Sequence, residues 1–377
     1  MARFLAITSR GLVDVLKDEL SSHGYKVLKA VPSGVYFESN WKGLYKAHLL
    51  LKTSTRILLP VLSFDAFTED EIYSKTLKHD FTKYIDVNQT LVVNTQGQSD
   101  SFKDNRYISL KVKDALVDQF REKFGQRPNV DKDNPDLKIL VKIYKNQFDI
   151  SIDLTGESLS QRGYRVKSTD APLREHLARG ILDISGWATE QPLVDPMCGS
   201  GTFVIEAALK AIQGFVLDSR RDFSFQHLKN FDPEVYKKVL DEVIQLKKKN
   251  NNLKIYAFDK SFAAIENAKQ NAQKAGVSEF IQFKQMRLEE ISSSHLPQEP
   301  GVILVNPPYG ERLGKDTELE GLFTDMGRSF KNNFKGWQLW LLSGNSELSP
   351  FLGLKSNAKK VIFNGPIECR LLCYDIR

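Results

Sequence analysis

The sequence predicts an α/β protein: a doubly wound, mostly parallel sheet over its second half, preceded by a smaller α+β region. Three observations predict it. From residue 193 onward, short apolar runs alternate with helical periods. A glycine-containing loop, 195-DPMCGSGTF-203, joins one such run to the next helical stretch. The first 65 residues read strand, helix, strand, strand, helix, strand, the order of a ferredoxin-like split βαβ unit. At 377 residues the chain exceeds one small core, and its 41% hydrophobic and 27% charged content is ordinary globular composition.

The first unit opens with a strand-like 3-RFLAITS-9, which leads through Gly11 to a helical 12-LVDVLKDELSSHG-24. Extended segments 26-KVLKAV-31 and 34-GVYFES-39 follow. Asn40 is placed to cap a helix over 41-WKGLYKAHLLLK-52, and 56-RILLPVLSF-64 reads as a strand. Residues 66–155 are again mixed. A helix near 68-TEDEIYSKTL-77 precedes a strand 90-TLVVNTQ-96. A helix 107-YISLKVKDALVDQFREKF-124 puts Ile108, Val112, Ala115, Leu116 and Phe120 on one face. The Gly, Pro, Asn and Asp content of 125-GQRPNVDKDNPD-136 marks a loop, and 137-LKILVKIYKN-146 with 147-QFDISIDL-154 reads as a hairpin.

The polar stretch 156-GESLSQRGYRVKSTDAPLREHL-177 contains a helix start near Pro172. Strands are then expected at 193-LVDPM-197, 254-KIYAFD-259, 280-FIQFKQ-285, 301-GVILVN-306 and 336-GWQLWLLSG-344. Helices 202-TFVIEAALKAI-212 and 261-SFAAIENAKQNAQKAG-276 fall between them. The final 359-KKVIFNGPIECRLLCYDIR-377 reads as two strands joined at Asn364-Gly365, an antiparallel edge. An insertion over 213–253 lengthens one crossover, and its KKKNNN run reads as a solvated helix end in preference to an RNA patch. The expected division is 1–65, 66–155, a linker with a first helix over 156–187, and the doubly wound domain over 188–377.

Net charge is +6, a mild tilt toward a polyanionic partner. The excess lies at the two ends: residues 1–65 carry 9 basic and 5 acidic side chains, whereas 66–155 carry 14 and 15. No apolar run approaches a membrane span, and MARFLAITSRGL lacks the core of a signal peptide. The three cysteines, Cys198, Cys369 and Cys373, argue for a reducing cytoplasm. Cys369 and Cys373 lie four residues apart on an expected strand, roughly 13 Å, which disfavours a zinc site.

Three features carry the chemistry. The glycines of DPMCGSG let the backbone turn tightly and approach a ligand; the alternative is an ordinary strand–helix turn. Asp259, ending the next strand, can accept both hydroxyls of a ribose, or merely help Ser261 start a helix. The third is 306-NPPY-309. In a doubly wound sheet, ligands sit outside the carboxyl ends where strand order reverses, between the first and fourth strands. The glycine loop ends the first of these and Asn306 the fourth, so the two motifs converge on one crevice. An exocyclic amine on a nucleobase is conjugated and a poor nucleophile, so its N–H groups need acceptors that hold the nitrogen toward an electrophile. Asn306 offers a side-chain oxygen. Pro307 offers a carbonyl that no strand has claimed, stiffened by Pro308. Tyr309 offers a face for stacking a base, worth roughly 1–3 kcal/mol. Cys198 reads as a small residue suited to cofactor contact and not as a nucleophile.

With these residues the sequence resembles S-adenosylmethionine-dependent methyltransferases of the amino-group class. More narrowly, LVDPMCGSGTF, NPPYGERL and FNGPIECRLL are similar to the bacterial 23S rRNA guanine-N2 methyltransferases. The stretch 152-IDLTGESLSQRGYR-165 with APLRE is similar to the segment joining their RNA-binding THUMP domain to the catalytic domain. The resemblance covers the whole chain. It implies a ferredoxin-like start, a THUMP domain over 66–155 and a Rossmann-like methyltransferase domain thereafter.

It implies S-adenosyl-L-methionine as cofactor, held by Asp195, Pro196, Cys198, Gly199, Ser200, Gly201 and Thr202, with Asp259, Lys260 and Asn306 completing the site. Asn306, Pro307, Pro308 and Tyr309 would hold the target base. One departure stands out: where the family often has an acidic residue facing the adenine amine, this chain has Met286 and Arg287, leaving a backbone group or Glu289 for that role. The implied partner is structured RNA, 23S rRNA, with no metal and no membrane. Candidate RNA contacts are Lys103, Arg106, Lys111 and Lys113, unless Asp100, Asp104 and Asp114 merely balance them, together with Arg162, Tyr164, Arg165 and Lys167. The implied reaction is methyl transfer to the N2 amine of a guanine in 23S rRNA, a 2445-type site. The alternatives are guanine-N2 in tRNA, adenine-N6 in DNA or RNA, and a non-catalytic RNA-binding ribosome-assembly factor.

Overall fold

The computed structural model describes residues 1–166, 173–214, 222–248, 252–308 and 316–377. The chain builds two sheets. The first starts β1 (Ala2–Ile7), α1 (Val13–Ser22), β2 (Lys26–Val31), β3 (Gly34–Ser39), α2 (Trp41–Leu50), β4 (Arg56–Asp65). This is the expected split βαβ order. Asn40 caps α2, its Oδ1 accepting the Gly43 N–H at 2.8 Å. Next come α3 (Glu69–Thr76), β5 (Thr90–Gln98), α4 (Asn105–Phe124), β6 (Asn129–Val130), β7 (Leu137–Tyr144) and β8 (Gln147–Asp153). The expected α4 face, Ile108, Val112, Ala115, Leu116 and Phe120, is buried throughout.

β4 pairs antiparallel with β8, so both stretches share one eight-stranded sheet ordered β2-β3-β1-β4-β8-β7-β5-β6. Its strands alternate apart from register shifts at Val27/Lys29 and Pro60/Leu62. Phe148, Ile150 and Ile152 of β8 enter the core under the helices, while Gln147, Asp149 and Ser151 face the other way.

The second sheet is ordered β11-β10-β9-β12-β13-β15-β14. Its elements are α5 (Glu175–Ile184), β9 (Leu193–Asp195), α6 (Thr202–Ala211), α7 (Pro233–Ile244), β10 (Ile255–Asp259), α8 (Phe262–Lys274), β11 (Ile281–Gln285), β12 (Val302–Val305), α9 (Asp316–Asn333), β13 (Gln338–Ser343), β14 (Ala358–Asn364) and β15 (Ile367–Asp375). The strands from β9 to β13 are mutually parallel, and the order reverses at β9, between β10 and β12. The terminal hairpin is antiparallel as expected; the strand that runs against the sheet is β15, one in from the β14 edge. Both faces are clad, one by α5, α6 and α8, the other by α9 and short turns. β9 stops at Asp195 because Pro196 has no N–H to continue the ladder.

The insertion does more than lengthen a crossover. Phe223, Phe225, Phe231 and Tyr236 join the core of the first sheet. Phe225 stacks on Tyr45 of α2, ring centroids 4.9 Å apart, and Glu242 of α7 accepts from Lys42 at 2.8 Å. It therefore straps the second domain onto the first. Lys247 and Lys248 follow α7 and are exposed, as the solvated-end reading expects; residues 249–251 lie outside the described residues.

Candidate active site

The register fixes the site. Asp195 of β9 lies opposite Ala257 of β10, and Val194 opposite Ile303 of β12. The loop after β9, Asp259 and Asn306 therefore emerge side by side at one end of three adjacent strands, where the order reverses. Cys198 N–H donates to the Phe258 carbonyl (2.8 Å) and Gly201 N–H to the Cys198 carbonyl (2.8 Å), folding the loop back over β10. Gly201 has φ +82°, and a β-carbon there would stand 3.0 Å from the Ala268 side chain. Gly199 has φ +52°, yet a β-carbon there would meet nothing within 4 Å. One glycine packs the loop onto α8; the other faces open space at the strand ends.

Asp259 anchors this loop. Its Oδ2 accepts the Gly199 N–H (3.0 Å) and its Oδ1 the Ser261 N–H (2.9 Å), while Ser261 Oγ caps α8 through the Ala264 N–H (3.3 Å). Asp259 thus helps start α8, and each of its carboxylate oxygens keeps a further lone pair. Asp195 is buried, and burial lifts its carboxyl well above the usual range; the Met197 N–H, donating to Oδ1 at 3.2 Å, opposes this and the nearby Asp259 charge adds to it. Burial also pushes the Cys198 thiol well up, reinforced by the charges of Asp195 and Asp259. A thiol held protonated is a poor nucleophile.

Asn306 follows β12, and Pro307 behind it is buried. The Asn306 Oδ1 is buried and, among the described residues, has no hydrogen-bond partner. A buried unsatisfied amide oxygen costs about 1–3 kcal/mol and calls for a donor. Tyr309 lies outside the described residues, as do Gly310, Glu311 and Arg312. After β11, Met286 N–H donates to the Asp259 carbonyl (2.9 Å) and Arg287 N–H to Glu290 Oε2 (3.0 Å), while Glu289 is exposed. Lys260 is exposed, and its carbonyl accepts from Gln285 at 3.1 Å. Among the described residues no group of His, Cys, Asp and Glu stands arranged to hold a metal ion, and no helix is long and apolar enough to cross a membrane.

Ser200 and Thr202 turn inward. Arg165 donates to Ser200 Oγ (3.0 Å), Thr202 Oγ1 (3.3 Å), the Leu173 carbonyl (3.0 Å) and Glu175 Oε1 (3.2 Å), clamping the linker onto the loop. Burial raises the Glu175 carboxyl, and the Arg165 guanidinium pulls it back. Asn271 of α8 adds a brace: its Nδ2 donates to the Ser200 carbonyl (3.0 Å) and its Oδ1 accepts the Val166 N–H (2.8 Å).

The RNA expectation for Arg162, Tyr164 and Arg165 needs correction. Arg162 and Tyr164 are 6% and 1% exposed, and both donate to Glu206 Oε1, at 2.7 and 3.3 Å. A buried cation requires a paired anion, and here that demand consumes the charge that was read as a phosphate contact. Arg165 spends its donors on the clamp. Lys167 lies outside the described residues. On α4, Arg106 pairs with Asp104 (2.6 Å), Lys111 with Glu69 (3.3 Å) and Lys113 with Asp114 (3.0 Å), so that cluster is largely neutralised, with Lys103 exposed beside it.

A family model described as RMKL-like, methyltransferase domain, matches residues 162–372. The chain belongs to that family. This RMKL-like domain follows a match to the THUMP domain over 66–153 and one to the RlmL ferredoxin-like domain over 3–58. Among curated relatives, the ribosomal RNA large subunit methyltransferase K/L of Syntrophotalea carbinolica is 35% identical over 99% of this chain and 53% of its own. That of Psychromonas ingrahamii is 36% identical over 100% and 50%. The chain thus spans about half the length of the curated relatives it matches. Among solved structures, SMU.472, described as a methyltransferase and complexed with SAH, is 29% identical with TM-score 0.89, covering 100% of this chain and 98% of its own. A Listeria monocytogenes protein described as a predicted N6-adenine-specific DNA methylase is 27% identical with TM-score 0.88, covering 100% and 96%. TrmN from Thermus thermophilus, 18% identical with TM-score 0.70 over 100% and 99%, shares the fold.

Proposed function

We propose that this RMKL-like protein is an S-adenosylmethionine-dependent methyltransferase acting on the N2 amine of a guanine in 23S rRNA, at a 2445-type site. The observation that carries the reading is the buried Asn306 Oδ1 at the end of β12, unpartnered among the described residues, beside the glycine loop of β9. A buried acceptor left empty among the described residues is what an incoming amine N–H would fill. As the nitrogen gains positive charge during attack, that hydrogen bond strengthens, and an interaction stronger in the transition state accelerates the reaction. The Pro307 carbonyl would accept the second N–H.

The open space in front of Gly199 and the spare lone pairs of Asp259 fit the cofactor, with the backbone of Cys198 and Gly199 around its methionine end. When bound, S-adenosylmethionine supplies a methyl group on a sulfonium. The chain's own residues place the amine in line with it, a positioning effect worth on the order of 7–11 kcal/mol at best. A base paired in a helix would have to be everted to reach Asn306. Adenine-N6 presents the same kind of amine, and the Listeria relative's description keeps that reading as the second; the THUMP match favours RNA over DNA.

Nucleoside analysis of rRNA and tRNA from cells lacking the protein tests this directly. Loss of one N2-methylguanosine from 23S rRNA is expected; loss of N6-methyladenosine, or of no modified nucleoside, overturns it. In the purified protein, Asn306→Ala should slow methyl transfer by about 100-fold or more with cofactor affinity nearly intact. Unchanged turnover would remove Asn306 from the chemistry.

A further inference from the structure

We propose that the uncovered face of the eight-stranded sheet grips RNA, and that it takes a single-stranded segment along a trough. The inference rests on the RNA reading above and names the surface that would hold that RNA. The helices of the first region, with α7, pack on one face of this sheet. The opposite face forms an open trough of about 1240 Å³, lined almost wholly by strand and turn residues with Ser109 of α4 at its rim.

Its shape argues for a single strand. Ser33 lies in the β2–β3 turn and Lys142 on β7, four strands from β3 in the sheet order. On a flat sheet they would stand roughly 19 Å apart. Instead the Lys142 Nζ reaches Ser33 Oγ at 3.5 Å. The sheet is curled enough for one lysine to bridge its two sides. Such a trough is too narrow for an A-form duplex, whose recognition runs across a wide, shallow minor groove.

Its chemistry argues for a polyanion with bases. Lys29, Lys138 and Lys142 line it, as does Arg3. None of these four makes an ion pair among the described residues, unlike the paired cations of α4. The Arg3 guanidinium lies over the Tyr36 ring at 4.2 Å, a preset stack whose outer plane can take a base. Against these stand two carboxylates. Asp153 is already paired with Arg56, and Asp149 accepts the Ser63 hydroxyl at 2.7 Å. The face therefore keeps a basic surplus over an apolar floor that includes Leu58 and Leu140. Groove charge plus stacking planes is the general recipe for sequence-tolerant single-strand binding.

The test is fluorescence anisotropy of the full chain with a labelled single-stranded RNA oligonucleotide and with the same sequence as a duplex, at several salt concentrations. Lys29→Glu/Lys138→Glu/Lys142→Glu should weaken single-strand binding tenfold or more. It should also lower the salt slope by about 2, given roughly 0.7 per lost phosphate contact. The corresponding triple Gln variant should move the same way by less, which guards against misfolding of the Glu triple. Lys237→Glu/Lys238→Glu, exposed on α7 on the helix-covered side, should stay within about twofold of wild type. Wild-type binding that ignores both trough variants sinks the trough alone. A wild-type chain with no affinity for either RNA sinks the RNA reading and the trough with it. Preference for the duplex, or displacement by polyglutamate as effective as by unlabelled RNA, also overturns the proposal.

Discussion

The two sheets of this chain solve the burial problem differently. The seven-stranded sheet is parallel from β11 to β13 and covered on both faces, so its strands are apolar on both sides: Val302–Val305 is buried end to end. Only its ends are left for chemistry, and the crevice lies where neighbouring strands diverge. The eight-stranded sheet is covered on one face, so its strands largely alternate and leave a whole face of mixed polar and apolar side chains. β7 reads buried at Leu137, Ile139, Val141 and Ile143, and open at Lys138, Leu140 and Lys142. A sheet clad twice offers a point-like site of great precision, and a sheet clad once offers area.

The largest expected effect comes from breaking the joint between them. Arg162 donates to Glu206 of the second domain and, through Nη2, to the Lys52 carbonyl of the first (2.8 Å). Glu206→Ala leaves a buried guanidinium unpaired and should cost about 3–5 kcal/mol in urea unfolding. Glu206→Ala combined with Arg162→Met should recover most of that loss. A single variant as stable as wild type would show that the joint holds nothing.

Next in size is the seam at His176, whose Nε2 meets Ser9 Oγ at 2.8 Å across the two domains while its buried Nδ1 has no partner among the described residues. Burial depresses its pKa from 6.5 to about 3, helped by the charges of Arg162 and Arg174. Below pH 6.5 the unfolded chain takes up a proton that the folded chain refuses, so this group's stability is complete above that pH and is lost as pH falls toward 3. The loss runs at up to about 1.4 kcal/mol per pH unit. Wild type should therefore lose about 2 kcal/mol more than His176→Gln between pH 6.5 and 5 in urea titrations. Equal losses would mean that His176 is protonated without penalty.

How much of this was legible follows from range. The α4 face, the Asn40 and Ser261 caps and the meeting of the glycine loop with Asn306 depend on local period or on strand order, and the sequence carries both. The docking of Phe225 on Tyr45 joins residues 180 apart and has no local signature. Arg162, Tyr164 and Arg165 misled because cations interleaved with an aromatic look alike whether they serve a phosphate or a buried carboxylate. The missing signal was Glu206, a lone acid in the otherwise apolar start of α6, TFVIEAAL, which requires a buried cation somewhere. The curl of the first sheet is a property of twist across many strands and leaves no mark on any one of them.

The smallest effect sharpens the claim that ends, and not faces, serve the second sheet. Asp259 already holds the Gly199 and Ser261 N–H groups, so its loss could act through the loop or through a ligand's hydroxyls. Asp259→Ala should weaken S-adenosylhomocysteine binding about tenfold in calorimetry, about 1.4 kcal/mol. Asp259→Asn separates the two causes. Its amide oxygen keeps one of the two backbone N–H groups while its NH₂ faces the other, so melting of the unliganded chain should fall between wild type and Asp259→Ala. Its NH₂ group replaces the second acceptor, so affinity should remain low if the carboxylate reads both hydroxyls of a ribose. Full recovery of affinity in Asp259→Asn would reduce Asp259 to a loop anchor and move ribose recognition elsewhere along the same strand ends.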